Sequence, residues 1–409
     1  MKPDTGDTAW LLVSSAMVLL MTPALALFYG GLVRRKNVLS TMMHSMAAIP
    51  LVTALWLVLG YSLAFGPSQG GVIGGLDHVF LGGLVGELRG TVPALAFVAF
   101  QAMFAAITPA LISGGFAERM KFSAYLLFSA SWSLLVYAPV AHWVWAEGGW
   151  LFELGALDFA GGTVIHITAG ASALVCALML GKRLKYPEER FPPHNLTMTM
   201  LGAGLLWFGW FGFNAGSALG SGHLAALAFV VTHMGAAGGA VGWVLVEWRH
   251  GGKPTALGAA SGLVAGLVAV TPAAGFVAPW AGFAIGALSG ALCFGAVLLK
   301  YRWGYDDSLD AFGLHGVGGV VGAVLTGVFS QTWNFADVAA PIGSDGLLLG
   351  GFKQLGVQIV APLAAIAYAV LVTWGILWVV RRFVGLRVTE SDEREGLDTS
   401  LHGEEGYAG

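Results

Sequence analysis

Residues 158–170 read DFAGGTVIHITAG, an acid at the mouth of an apolar stretch with a histidine, His166, eight residues further in. At about 1.5 Å of helical rise per residue, that spacing carries the imidazole roughly 12 Å deeper than the Asp158 carboxylate. A second histidine, His315, lies 149 residues later in DAFGLHGVGGVVG, again among glycines and aliphatic side chains. An ionisable group at membrane depth is costly and points to function by default. The ordinary alternative, a core imidazole bonded to a carbonyl, loses ground when two such residues occupy corresponding segments. Paired neutral imidazoles share a proton, each offering one nitrogen to the other and the second to a passing molecule. A haem or metal held by both is the rival, though no further ligand-type residue falls at their depth.

The surroundings make this a polytopic membrane protein. Of 409 residues 56% are hydrophobic and only 11% charged, against about 25% charged in soluble domains. The net charge of −3 says little; its distribution carries the information, and nothing in it suggests a nucleic-acid partner. Cys176 and Cys293 both fall in apolar segments, which argues against a disulfide framework or a thiolate metal site. The 61 glycines suit helices that approach closely within a bilayer.

Working outward, apolar runs of about 20 residues give an all-α fold of eleven transmembrane helices. They lie near 10–33, 38–65, 93–116, 122–143, 160–181, 196–219, 224–247, 256–275, 280–300, 311–330 and 347–380. The first is not a signal peptide, because Asp4 and Asp7 stand where a basic n-region belongs. The positive-inside rule places the N-terminus outside and the C-terminus in the cytoplasm. With that layout seventeen of the 20 basic residues, Arg190 among them, fall on the cytoplasmic side, leaving only Lys2, Arg89 and Lys353 elsewhere. The spans divide as five, five and one. His166 is in the fifth and His315 in the tenth, so the halves, about 10–181 and 196–330, read as inverted repeats with a site near the midplane between them. A long eleventh helix, about 347–380, completes a membrane domain over 1–383. Residues 384–409 form a polar tail, which composition alone reads as disordered and which is otherwise a cytoplasmic regulatory segment.

Several further residues stand out. Asp158 serves either as a cap at a helix N-terminus or to attract a cation and help take its proton. Trp143, Trp145 and Trp150 form an interfacial belt, and one of them at a pore mouth would hold a small cation on its π face. Phe100, Phe104, Phe211 and Phe213 in the third and sixth spans are ordinary packing residues, unless two rings meet across a pore and exclude water. For Asp306, Asp307 and Asp310, ahead of the tenth span, capping suffices. No Walker loop, nucleophile elbow, HExxH or dinucleotide fingerprint sits in a supporting context, so the chain reads as neither an energised pump nor an enzyme, and no cofactor is expected.

Seven stretches together resemble the ammonium transporter family (the Amt/MEP/Rh superfamily), the bacterial Amt branch most closely. They are FYGGLVRRKN (28–37), FQAMFAAITPALISGGFAERMKFSA (100–124), ALDFAGGTVIHITAGASALV (156–175), GWFGFNAGSAL (209–219), ASGLVAGLVAVTPAAGF (260–276), DDSLDAFGLHGVGGVVG (306–322) and GLRVTESDEREGLD (385–398). The resemblance implies a pore in each subunit of a homotrimer in the cell membrane. His166 and His315 would be the paired pore histidines, relaying a proton together with Asp158. Phe104 and Phe213 would form a stacked phenyl gate. Trp145, Ser217, Phe100 and Phe104 would recruit ammonium, with Trp143 and Trp150 as alternatives to Trp145. The tail would couple subunits and meet a PII-type signalling protein. An ammonium sensor with little transport, a neutral ammonia or carbon dioxide channel, and a bis-histidine haem or quinone carrier are the other functions to separate from it.

Overall fold

The computed structural model describes residues 2–189, 191–338 and 340–407; Arg190 and the last two residues of the tail lie outside them. Among the described residues ten helices are long and apolar enough to cross a membrane. They are α1 (Thr5–Leu32), α2 (Arg35–Phe65), α3 (Ala94–Gly115), α4 (Phe122–Leu154), α5 (Gly162–Leu180), α6 (Leu196–Gly216), α7 (His223–Gly251), α9 (Pro279–Trp303), α10 (Phe312–Phe329) and α11 (Phe352–Phe383). The shorter α8 (Ala256–Val270) lies between α7 and α9.

The boundaries depart from expectation where a local signal intervenes. Helix α1 begins at Thr5 rather than near 10, because the Asp4 side chain accepts the Asp7 N–H at 2.9 Å and caps it. Helix α8 stops at Val270, short of 275: Pro272 lacks an N–H with which to continue the ladder. Helix α11 starts at Phe352 rather than near 347, since Gly350 turns left-handed at φ 87° and isolates a single turn at Leu347–Leu349. Helix α4 unwinds after Trp145 and resumes as one turn at Trp150–Leu154.

Loop contacts sort into two faces. On the face bearing the N-terminus, Asp7 accepts from Ser221, His223 from α7 meets Asp337, and Gln358 of α11 bonds both N–H and C=O of Leu157. The opposite face bears the C-terminal segment and is held by ions. Glu118, after α3, takes Arg34 at 3.0 Å and Arg183 at 2.8 Å, and Arg183 reaches on to Asp306 at 2.8 Å. Burial by itself would raise the Glu118 carboxyl, but the Arg183 and Arg34 guanidiniums bring it down to about 2.

The tail is packed, against the reading from composition, because its charges find partners. Thr389 and Asp392 form a capping box for α12 (Glu390–Glu395). Glu393 is buried, takes Arg387 at 2.7 Å and accepts the Leu184 N–H at 2.6 Å. Asp398 accepts the Ser40 N–H, and the Tyr407 hydroxyl meets His194 and Asn195.

Glycines set the tightest helix crossings. In the α7–α8–α9 block, a methyl on Gly239, Gly266, Gly286 or Gly290 would lie 2.1 to 2.3 Å from a carbonyl of the facing helix. This seam is therefore backbone against backbone. The same device joins α5 to α10, where a Cβ on Gly170 would fall 2.1 Å from the Gly316 nitrogen. That crossing lies four residues past His166 and one past His315.

Candidate functional site

Helices α5 and α10 begin alike. Each opens with a π-helical turn, at Gly162–Ile167 and Phe312–Val317, before settling into α-helix. In α5 the His166 N–H bonds Gly161 O five residues back, at 3.1 Å. An acid holds each start. Asp158 spends both oxygens on four successive N–H groups: Oδ1 accepts from Gly161 (3.0 Å) and Gly162 (2.6 Å), and Oδ2 from Thr163 (2.8 Å) and Val164 (3.0 Å). Asp307 accepts from Ala311 and Phe312 in the same manner. It stands eight residues before His315, as Asp158 stands before His166, so the expected capping role falls on Asp307.

The two starts bring the imidazoles together. His166 and His315 lie Nδ1 to Nδ1 at 3.3 Å, with ring planes 13° apart, and both are buried. One Nδ1 donates and the other accepts. Among the described residues no group of three or more His, Cys, Asp or Glu side chains gathers here to hold a metal ion. His166 Nε2 is buried without a protein partner. The cavity beside the pair measures about 10 Å³ and is walled by Leu25, Phe28, Ile107, Leu206 and Val264, space for about one water-sized molecule.

A column of rings continues from the histidines toward the N-terminal face. Phe213 lies 6.0 Å from His166 at 24°, Phe104 lies 4.3 Å from Phe213, and Trp145 lies 6.1 Å from Phe104. The Phe104 and Phe213 planes are tilted by 41°, so the phenyls close on one another obliquely rather than in a parallel stack. Beyond them a pocket of about 120 Å³ opens, lined by Trp145, Phe104, Ser217, Gln101, Phe159 and Arg89 among others. Trp145 is fixed there by its indole N–H, which donates to Asp158 O at 2.8 Å. Trp143 donates instead to Val72 O and packs on Trp150 and Tyr368, away from the pocket. Ser217 Oγ gives its proton to Phe213 O at 2.9 Å, which leaves its lone pairs to accept. Phe100 is fully buried against Phe104, 4.7 Å between centroids, and backs the pocket rather than lining it. Phe211 stacks on Phe229 and takes no part. On the other side a cavity of about 670 Å³, reaching Leu314 next to His315 and sharing Phe28 with the histidine cavity, opens toward the C-terminal face.

Among the polar residues of the pocket, sequence reasoning missed two. Gln101 is buried with Oε1 unpartnered; a lone amide among alanines and phenylalanines in α3 was the available signal. Arg89 counted only as a basic residue on the wrong side. The two cysteines are buried and free, as expected.

A family model described as Ammonium Transporter Family matches residues 9–407. The chain belongs to that family. It is 51% identical to the ammonium transporter of Bacillus subtilis (strain 168) over 98% of either chain. To the ammonium transporter of Aquifex aeolicus it is 52% identical, over 99% of this chain and 94% of that one. The crystal structure of Saccharomyces cerevisiae Mep2 superposes with a TM-score of 0.90 at 39% identity, covering 95% of this chain and 88% of Mep2. The chain is thus a multi-pass membrane protein of ammonium transport. In this transporter the ring column joins the histidine pair to the pocket that Phe104 and Trp145 line, and Phe28 is common to the histidine cavity and the larger one.

Proposed function

We propose that the transporter captures ammonium in the Trp145 pocket, strips its proton, and passes ammonia along the ring column and the histidine pair to the C-terminal face. The observation that carries this reading is the pair itself, two imidazoles joined Nδ1 to Nδ1 in an apolar-walled constriction between the two larger cavities. A bare cation is expensive in such a passage, whereas neutral ammonia costs far less. In the pocket, ammonium rests on the Trp145 and Phe104 faces and donates to Ser217 Oγ, with Phe100 supporting Phe104 from behind. Near the Phe104–Phe213 gate one N–H bond breaks, leaving its electron pair on nitrogen. The ammonia moves on, hydrogen-bonded to the imidazoles. The proton follows by a relay of Asp158, His166 and His315, in which Asp158 acts through its charge and by holding the start of α5. Potassium has no proton to release and no N–H to donate, so it is refused.

The membrane domain is read as inverted repeats over about 10–181 and 196–330, with α11 closing it. The N-terminal face is extracellular or periplasmic and the C-terminal face cytoplasmic, in the cell membrane. This agrees with the basic residues Arg34, Arg35, Lys36, Arg119, Lys121 and Arg183 on the latter face. We read the assembly as a homotrimer. The tail, packed over residues 384–407, lies against the loops around Lys36, Lys121 and Leu184, which supports reading the segment 384–409 as the surface for a PII-type signalling protein.

The test is ammonium-evoked current in proteoliposomes on a solid-supported membrane, for wild type and the His166→Ala/His315→Ala double variant. Current that vanishes or loses ammonium selectivity in the variant is the expected result. Internal alkalinisation without current in the wild type replaces the relay with a neutral gas channel. Neither signal in folded protein replaces transport with sensing.

A further inference from the structure

A guanidinium is an odd wall for a pocket that collects cations. Arg89 sits in that wall, and its position is built. It lies in a hairpin whose strands pair Leu88 with Pro93 and Arg89 with Val92. Gly90 turns the chain at φ 60°, as a two-residue hairpin requires of its first loop residue. The next residue, Thr91, is tied to the start of α1: its carbonyl accepts the Asp4 N–H at 2.8 Å, and its hydroxyl donates to Asp7 at 2.6 Å. The guanidinium carbon rests 4.0 Å from the Phe97 ring centroid and 5.2 Å from that of Phe65. Those two π faces, both in the pocket wall, are therefore already taken by a tethered cation. What remains for an incoming one is Trp145, Phe104 and Phe159, with the Ser217 lone pairs and the unpartnered Gln101 Oε1 as acceptors.

We propose that Arg89 is a specificity-determining residue: a fixed positive charge that shortens the stay of every cation in the recruitment pocket and favours the one able to leave as a neutral molecule. This rests on the recruitment reading given above. Every cation that enters is repelled alike. Ammonium escapes the repulsion by giving its proton to the relay and moving on as ammonia. Potassium and tetramethylammonium keep their charge and can only retreat. The acceptors Gln101 and Ser217 add to the selection against tetramethylammonium, which has no N–H to donate; potassium, which such oxygens can coordinate, is turned back because it cannot shed its charge.

The magnitude follows from Coulomb's law. Two unit charges separated by the width of such a pocket, roughly 7 Å, with an effective dielectric constant between about 20 and 80, shift binding by roughly 3- to 50-fold. The same repulsion is lost at about 1 M salt, where the screening length is near 3 Å.

The experiment compares wild type with Arg89→Met, which keeps an apolar stem over Phe97, with Arg89→Gln, and with Arg89→Lys, which restores the charge. KM for ammonium is measured from proteoliposome currents at low and at 1 M ionic strength, with potassium and tetramethylammonium as competitors. Both neutral variants should lower KM for ammonium at low salt and bind the competitors more tightly by a larger factor, with the differences from wild type collapsing at high salt. Arg89→Lys should behave as wild type. A merely structural Arg89 would give a salt-independent defect that lysine does not rescue, and that result overturns the proposal. So does an unchanged or raised KM in a neutral variant that purifies as folded protein. Trp145→Leu is run alongside: if it leaves KM unchanged the recruitment reading fails, and if it raises KM while the neutral Arg89 variants do nothing, the Arg89 inference alone fails.

Discussion

Replacing Asp158 by alanine removes one acceptor group and strands four backbone donors at the start of α5. Each of the four N–H groups now bonds a carboxylate oxygen at 2.6 to 3.0 Å, and the site is buried to 6% exposure, too little for water to take over. An unsatisfied buried donor costs about 1–3 kcal/mol, so the intact π turn would carry a penalty of roughly 4–12 kcal/mol. That is comparable to the whole folding stability of a typical domain, about 5–15 kcal/mol. The turn at 162–167 will instead unwind, and His166 and the Trp145 anchor on Asp158 O will shift with it. Asp158→Asn keeps one carbonyl oxygen and two of the four bonds, so it should incur about half the penalty. The assay is thermal unfolding of purified protein in detergent, followed by ammonium-evoked current from the same preparations. The expected order of both midpoint and current is wild type, then Asn, then Ala, with the alanine midpoint lower by about 10 °C or more. An alanine variant that unfolds at the wild-type temperature yet carries no current would refute the reasoning, because the carboxylate would then act on the proton directly or through its charge alone, and not by holding the helix.

Two further outcomes follow from neighbouring contacts. Gly170→Ala should abolish transport while leaving the Trp145 pocket formed, since its methyl would meet the Gly316 nitrogen at 2.1 Å and drive α5 from α10 beside the histidine pair; wild-type current in that variant would show that the crossing yields. Glu118 has a folded value of about 2, below its ordinary 4.5, so the stability it contributes is present above about pH 4.5 and is lost as pH falls toward 2. Unfolding midpoints across that window should therefore decline in wild type, and more weakly in Glu118→Gln, which begins less stable at neutral pH because Arg183 and Arg34 lose their shared carboxylate.

The positions of the histidines were legible because depth in a membrane is counted in residues. His166 and His315 each lie eight residues past an acid, and glycines follow both. That Asp307 answers to Asp158 was open to the same count, though two neighbouring aspartates obscured it. Which tryptophan faces the pocket was not legible. Trp143 and Trp145 are two residues apart at the end of α4 and so point roughly 200° away from one another; only the fold says which direction holds the pocket. The π turns escaped notice because one extra residue per turn leaves no mark in an apolar pattern. The tail misled for another reason. Its composition is that of a chain unable to build a core of its own, yet Glu393, Asp398 and Tyr407 close on loops supplied by the membrane domain. Arg89 escaped because a hairpin of four paired residues carries no signal of where its side chains go.

The seam between α7, α8 and α9 limits how this protein can move. Interfaces that switch usually do so by side chains hopping from one set of notches to another. Where backbone lies on backbone there are no such notches and no rotamers to exchange. A sliding step would drive carbonyls into one another before any new fit was reached. The block of α7, α8 and α9 is therefore a keel. Whatever opens and shuts during a transport cycle must lie outside this block. Turnover should then not depend on α7, α8 and α9 sliding past one another.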